Sequence, residues 1–313
     1  MKILLAYDGS KSADDALDDL GKAGLPAEDV EALILTVAEI WMPPPTNGSG
    51  PEEYLSEVGP DWIERHRKVK HAALNEAESL SRHALESLKI KFPGWQISSE
   101  TAAGSPSRKI LEKADVFRPD LIVLGAQGKN AISRLFLGSI SGKILSEAEC
   151  AVRVARERNN LSPPAPVRII IGFDGSSGAE AAVEAVIARN WKADSEIFLI
   201  TAIDSIVPDS IGRFMASSII WVEEEIQTER RWIEKIAHHA LRKLQAAGFQ
   251  AKLCVRNGNP KQILIDEANK LGADCIFVGA NSLPNQSGAL RFGSVSAAVA
   301  ERANCSVEVV RNK

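Results

Sequence analysis

Cysteine is scarce in this chain, and the four that occur, Cys150, Cys254, Cys275 and Cys305, lie far apart without CxxC spacing. That excludes a zinc knuckle and a dithiol redox motif, and leaves the thiols as small core hydrophobes. No Lys/Arg-rich block stands out and the formal net charge is −4. The chain therefore offers no electrostatic footprint for a nucleic-acid backbone, and nucleic acid is set aside as a partner. Long apolar runs are also missing: stretches such as residues 32–38 fall far short of the roughly 18 residues that a membrane span needs. Residues 1–8 are too short for a signal h-region, so a soluble, cytoplasmic protein without a membrane contact is expected. The five histidines, His66, His71, His83, His238 and His239, fall on helix-periodic segments without HExxH or comparable ligand spacing. None is a candidate catalyst or metal ligand. What is present is the composition of a globular protein spread over 313 residues, more than one domain of about 100–200 residues holds.

Internal repetition explains the length. Ile3-Leu4-Leu5-Ala6-Tyr7-Asp8-Gly9-Ser10 matches Ile169-Ile170-Ile171-Gly172-Phe173-Asp174-Gly175-Ser176, each an apolar run ending in Asp-Gly-Ser. Gly104-Ser105-Pro106 then matches Gly258-Asn259-Pro260, Asp120 to Ala126 matches Asp274 to Ala280, and Cys150-Ala151-Val152 matches Cys305-Ser306-Val307. Agreement at four separated points marks a duplication. Between the halves the polar, proline-rich stretch 157–166 cannot continue a central strand and reads as a linker between domains 1–156 and 167–313.

Within each half, short apolar runs alternate with longer helix-periodic segments, the pattern of βαβ units building a parallel sheet. Strands are predicted near 2–7, 31–38, 95–101, 120–124 and 151–155. Val69, Ala73, Ala77, Leu80, Ala84 and Leu88 place one apolar stripe on a long helix, as do Ile226, Ile233, Ala237, Ala240 and Leu244 in the second half. Each half closes on a short strand, Ala151-Val152-Arg153-Val154 and Ser306-Val307-Glu308-Val309, that would otherwise expose an edge. The halves are therefore expected to pack as a pseudo-dimer. Residues 42–60, opening with Met42-Pro43-Pro44-Pro45, follow the second strand and predict a flap near the ligand side and a surface for a regulatory protein partner.

In an open parallel sheet, ligands bind beyond the carboxyl ends of the strands, and the sequence is richest there. After the fourth strand come Gly125-Ala126-Gln127-Gly128, nine residues, and Gly138-Ser139 opening a helix. Glycines admit close backbone approach and positive φ, and a helix N-terminus attracts anions, although glycines that merely end strands and a serine that merely caps a helix would look the same. The loop is neither a Walker A sequence nor a dinucleotide GxGxxG.

The Gly-x2-Gly-x9-Gly-Ser arrangement, with Asp-Gly-Ser after the first strand, resembles the universal stress protein family, here in tandem over both halves. The resemblance implies an α/β fold of two doubly wound domains, each a five-stranded parallel sheet of order 3-2-1-4-5, and in the nucleotide-binding branch a bound ATP, with or without Mg²⁺. It places Asp8 beside adenine and ribose, Val37 against adenine through its backbone, and Gly125, Gly128, Gly138 and Ser139 on ribose and phosphates. Lys129 and Arg134 lie inside the phosphate loop and could offset triphosphate charge, although loop cations are usually just solvated. In the second half Asp174, Gly279, Gly293 and Ser294 survive, but Ser282 replaces the second glycine, Pro284 and one extra residue shift the register, and Ala202 stands where Val37 stands. One tight site, in the first half, is the expectation, with a weak or absent second.

Three function classes fit. A nucleotide-responsive regulator needs no nucleophile. An ATP-consuming relative on a similar sheet would typically carry Ser-Gly-Gly-x-Asp-Ser after the first strand, where this chain reads Asp8-Gly9-Ser10-Lys11-Ser12. No base-and-metal pair can be assigned either, so at most slow hydrolysis is expected. A scaffold acting through dimerisation would dispense with the glycine loop, which the first half keeps. The regulatory reading is favoured.

Overall fold

The computed structural model describes residues 1–40, 60–128, 137–156, 166–203, 216–280 and 293–311, with side chains left aside at 60–63, 65–66, 216–227 and 229. Most of the expected flap, together with Lys129, Arg134, Ser282 and Pro284, lies outside the described residues. The first half runs β1 (Lys2–Ala6), α1 (Lys11–Asp19), β2 (Glu31–Glu39), α2 (Pro60–Lys91), β3 (Gln96–Gly104), α3 (Pro106–Phe117), β4 (Leu121–Gly125), α4 (Ser139–Glu147) and β5 (Ala151–Ala155). The second repeats it as β6 (Arg168–Gly172), α5 (Ser177–Ile187), β7 (Glu196–Ile203), α6 (Ala216–Ala246), β8 (Gln250–Asn257), α7 (Pro260–Leu271), β9 (Cys275–Gly279), α8 (Ser294–Arg302) and β10 (Ser306–Val310).

All ten strands form one sheet in the order β3-β2-β1-β4-β5-β10-β9-β6-β7-β8. Each half thus keeps the 3-2-1-4-5 order, and the two five-stranded units fuse where β5 and β10 pair antiparallel, Val307 against Val154 and Val309 against Val152. The edges that would have been exposed close on each other. Every other pairing is parallel. Strands covered on both faces can be apolar throughout, as Ile3-Leu4-Leu5, Leu121 to Leu124 and Ile169-Ile170-Ile171 are, all buried.

Local chemistry repeats as well. Ser10 and Ser176 cap α1 and α5, each hydroxyl accepting from the N–H three residues on, Ala13 and Ala179, at 3.2 Å. Pro106 and Pro260 open α3 and α7, whose carboxyl ends close in the left-handed region at Arg118 (φ 53°) and Gly272 (φ 59°). On one face of the sheet each half has a core of its own. On the other, a single cluster runs from Leu4, Ile122 and Val154 through Val307 and Val309 to Ile170, so the seam sits over continuous apolar packing. The predicted stripe on α2 holds from Ala73 to Leu88 but not at Val69, which is 62% exposed. On α6, Ala237, Ala240 and Leu244 are fully buried.

Candidate functional site

A cleft of about 640 Å³ opens at the carboxyl ends of β1, β2 and β4 in the first half, a volume within the usual range of small-molecule sites. Asp8, Val37, Gly125, Gly128, Gly138 and Ser139 all line it, so six of the seven first-half residues singled out from the sequence come together. Lys129, the seventh, lies outside the described residues.

The floor is the turn after β1. Gly9 adopts φ 74°, and Asp8 Oδ1 accepts from the Ser10 N–H at 2.9 Å, which fixes the carboxylate at the mouth of the cleft. Across from it stands Gly128, where an added Cβ would lie 3.2 Å from Asp8 Oδ2. Gly125 is pressed against the start of α1: a Cβ there would meet the Ser12 carbonyl oxygen at 2.5 Å, and Ser12 Oγ accepts from the Gln127 N–H at 3.2 Å. Gly138 caps α4, its N–H donating to the Ala126 carbonyl at 2.8 Å, and one turn inside the helix Ser141 Oγ donates to the Gly125 carbonyl at 2.9 Å. The nine-residue α4 therefore aims its N-terminal amides at the cleft.

Of the two properties glycine offers, close backbone approach and positive φ, the second is not used here: Gly125, Gly128 and Gly138 are absent from the positive-φ residues, which include Gly9 and its counterpart Gly175. Space requires glycine at Gly125, is tight at Gly128 and leaves ordinary contact at Gly138, where a Cβ would lie 3.4 Å from the Ala126 carbonyl oxygen.

Three lining residues escaped sequence reasoning. Tyr7 is buried and its hydroxyl donates to Asp14 Oδ1 at 2.6 Å; burial first, then that carboxylate, hold the phenol well above its ordinary pKa. Thr36 is buried with no hydrogen-bond partner for its hydroxyl among the described residues. Ser141 could have been found from the repeat itself, since Ser139-Ile140-Ser141 recurs as Ser294-Val295-Ser296 and Ser296 Oγ donates to the Gly279 carbonyl at 2.6 Å. Asp8, Glu39 and Glu76 make the described lining acidic, and it contains neither Lys nor Arg.

The second half keeps the scaffold and changes the walls. Asp174 Oδ1 accepts from the Ser176 N–H at 2.9 Å, Gly175 sits at φ 78°, and Gly293 caps α8, where Ser294 is the first residue. Thr201 again buries a hydroxyl without a partner among the described residues. Phe173 replaces Tyr7, however, and Ala202 on β7 replaces Val37. Gly9 packs on Leu80 and Gly175 on Ile236, so the residue one turn earlier is Glu76 on α2 and Trp232 on α6. Trp232 is 58% exposed, its ring 4.0 Å from the Cβ position of Gly175.

Among the described residues no helix is long and apolar enough to cross a membrane, and no cluster of His, Cys, Asp and Glu could hold a metal. The cysteines are free; burial pushes Cys275 and Cys305 up to about 12, which leaves both as inert thiols.

The profile of the universal stress protein family matches this sequence twice, over residues 1–156 and 167–311. A universal stress protein of Thermus aquaticus is 32% identical over 154 residues, 49% of this chain and 97% of that protein. One from Mycobacterium tuberculosis is 24% identical over 216 residues, 69% of each chain. Among solved structures, a universal stress protein from Archaeoglobus fulgidus superposes with TM-score 0.62 at 18% identity, covering 100% of this chain and 98% of that one, a likeness of fold.

Proposed function

The chain belongs to the universal stress protein family, whose members serve the stress response, and from that premise we propose that its first half binds ATP as a regulatory ligand rather than as fuel. The observation that carries the reading is the facing pair of Asp8 and Gly128 at the mouth of a cleft closed by the amino end of α4. The lining suits a nucleoside phosphate. Asp8, held by the Ser10 N–H, presents an acceptor for ribose hydroxyls, and Val37 with Leu35 and Ala38 gives an adenine an apolar wall. Gly128 leaves open the space a Cβ would fill, and the buried hydroxyl of Thr36 offers a hydrogen bond that the described protein groups do not satisfy. The Ser139 amide at the amino end of α4 suits the phosphates, beside Gly138, whose own N–H is taken by the Ala126 carbonyl, with Lys129 and, where present, Mg²⁺ offsetting the remaining charge against an acidic lining.

The proposal is asymmetric: one tight site per chain in the unit 1–156, and at most weak binding in the unit 167–313 around Asp174, Ala202, Gly279, Gly293 and Ser294, the two units being joined by 157–166. Occupancy then acts by favouring one conformational or assembly state, read by a regulatory protein in the cytoplasm. Mass analysis of the small molecules released from purified protein tests this. An adenine nucleotide at no more than one per chain supports it; no nucleotide, together with a silent titration, would favour a scaffold that works without one.

A further inference from the structure

The strand that closes each half carries a charge in its middle, and the two charges are opposite. Val152-Arg153-Val154 and Val307-Glu308-Val309 occupy the same place in the repeat, and the register sets Glu308 directly against Arg153. Each residue thus faces its own counterpart across the pseudo-two-fold axis. Both side chains are fully buried, with Arg153 Nη1 donating to Glu308 Oε2 at 3.3 Å. The pair sits inside a longer row. Arg153 Nε and Nη2 donate to Asp19 at 2.6 and 3.2 Å, and Arg189 Nη2 donates to Glu308 Oε1. Two further bonds cross between the halves, from Ser306 Oγ to Asp19 Oδ1 at 2.7 Å and from Arg189 Nη1 to the Ala23 carbonyl at 2.7 Å.

A second set of seam contacts is symmetric and serves as a contrast. Arg156 donates to the Ala300 and Glu301 carbonyls at the end of α8, and Arg311 to the matching Leu145 carbonyl at the end of α4 and to the Cys150 carbonyl just before β5. Because arginine stands at both positions, two identical halves could make these contacts equally well. The valines of β5 and β10 are equally indifferent. The central row is not. Two first halves would set Arg153 against Arg153, leaving each Nη1 without its carboxylate in a place water does not reach, and Ala151 would supply no hydroxyl in place of Ser306. Two second halves would set Glu308 against Glu308, each keeping its own Arg189 but losing the Arg153 guanidinium that its Oε2 accepts from across the seam.

We infer that the β5/β10 seam accepts the unlike half of this chain and excludes a second copy of the like half, and that Arg153 facing Glu308 on the pseudo-two-fold is what discriminates. Apolar packing and the Arg156 and Arg311 contacts give the seam its adhesion; the buried opposite charges give it its choice of partner. The duplicated chain thereby closes on itself instead of linking with others through like halves.

The test uses the full chain with a protease site placed within 157–166. The folded protein is nicked, passed through urea and back, and its assemblies are counted by native mass spectrometry. The wild-type chain should return almost only unlike pairs. Glu308→Gln, which keeps the shape and removes the charge, should release second-half homodimers, each leaving two first halves unpaired because Arg153 would still face Arg153, so first-half homodimers stay rare; Arg153→Met/Glu308→Gln should release both homodimers, toward the statistical 1:2:1. Statistical mixing in the wild type, or unlike pairs alone in every variant, overturns the inference. Melting of the uncut chains gives an independent reading: the double variant should lose less than the sum of the two single losses, and simple additivity would show that the pair is not felt across the seam.

Discussion

The two clefts of this molecule share a turn and differ in their walls. Both begin with Asp-Gly-Ser, both set a glycine at positive φ after the first aspartate, and both end on a serine that ties the last helix to the fourth strand. Around that frame Tyr7 becomes Phe173, Val37 becomes Ala202 and Glu76 becomes Trp232. The frame is what folding needs, because it caps α1 and α5 and fastens the sheet's carboxyl end, so it survives in either half regardless of ligand. The walls touch whatever is bound, and there the halves are free to diverge. The shared frame therefore cannot by itself tell the two clefts apart, and the wall differences are where their ligands would be distinguished.

The sharpest way to break this comparison acts at equivalent positions of the seam. Arg153→Met strips both Asp19 and Glu308 of a buried cation and should cost about 3–5 kcal/mol, read as a shift of the urea midpoint. Glu308→Met should cost less, because Arg153 keeps Asp19 and Arg189 keeps the Ala23 carbonyl. Equal losses would show that the row does not divide as the geometry divides it. Burial opposes the charge on Arg153, yet Asp19 and then Glu308 more than restore it, so the guanidinium stays charged at every accessible pH.

Next come the strand-ending glycines. A Cβ at Gly279 would lie 2.2 Å from the Gly178 carbonyl carbon, and one at Gly125 would lie 2.5 Å from the Ser12 carbonyl oxygen. Both neighbours are backbone, so Gly279→Ala and Gly125→Ala should each lower stability by roughly 1–3 kcal/mol in thermal unfolding, the former more. An unchanged melting temperature in either would mean that the helix can retreat from the strand. Neither variant isolates ligand binding, and Gly128, where a Cβ would meet the Asp8 side chain alone among the described residues, is the cleaner probe.

Tyr7→Phe converts the first half to the second half's residue. It should cost about 1 kcal/mol through the lost Asp14 hydrogen bond, since Phe173 shows that the ring alone packs there. A smaller gain is expected from Arg118→Gly, which gives α3 the left-handed ending that α7 already has in Gly272; relief of strain less the entropy of glycine leaves under about 1 kcal/mol. A loss of stability instead would show that Arg118 contributes through its side chain.

Much of the fold was legible because apolar runs and repeats are local signals. The predicted strands near 31–38, 120–124 and 151–155 differ from β2, β4 and β5 by a residue at most, and the unpaired-edge argument found the seam. Val69 was misjudged because a helical stripe continues in sequence past the point where α2 still covers the sheet. The cleft was half legible: Asp8 and the glycines announce themselves by type, but Tyr7 and Thr36 read as ordinary strand residues until the sheet sets them at the cleft. Close approach, not positive φ, is what holds glycine at Gly125, and the segment it approaches, Ser12 at the start of α1, leaves no local trace beside it in the sequence. The opposite signs of Arg153 and Glu308 stood in plain view at matched positions, yet their meaning depends on an antiparallel register that only the folded sheet supplies.

Calorimetric titration of nucleotide-stripped protein with ATP tests the asymmetry most directly. One tight site per chain is expected, weakened about tenfold, or 1.4 kcal/mol, by Gly128→Ala, whose Cβ would crowd Asp8, and unaffected by Asp174→Ala in the second cleft. Two equal tight sites, or a single site lost on substituting Asp174 and kept on substituting Gly128, would contradict it.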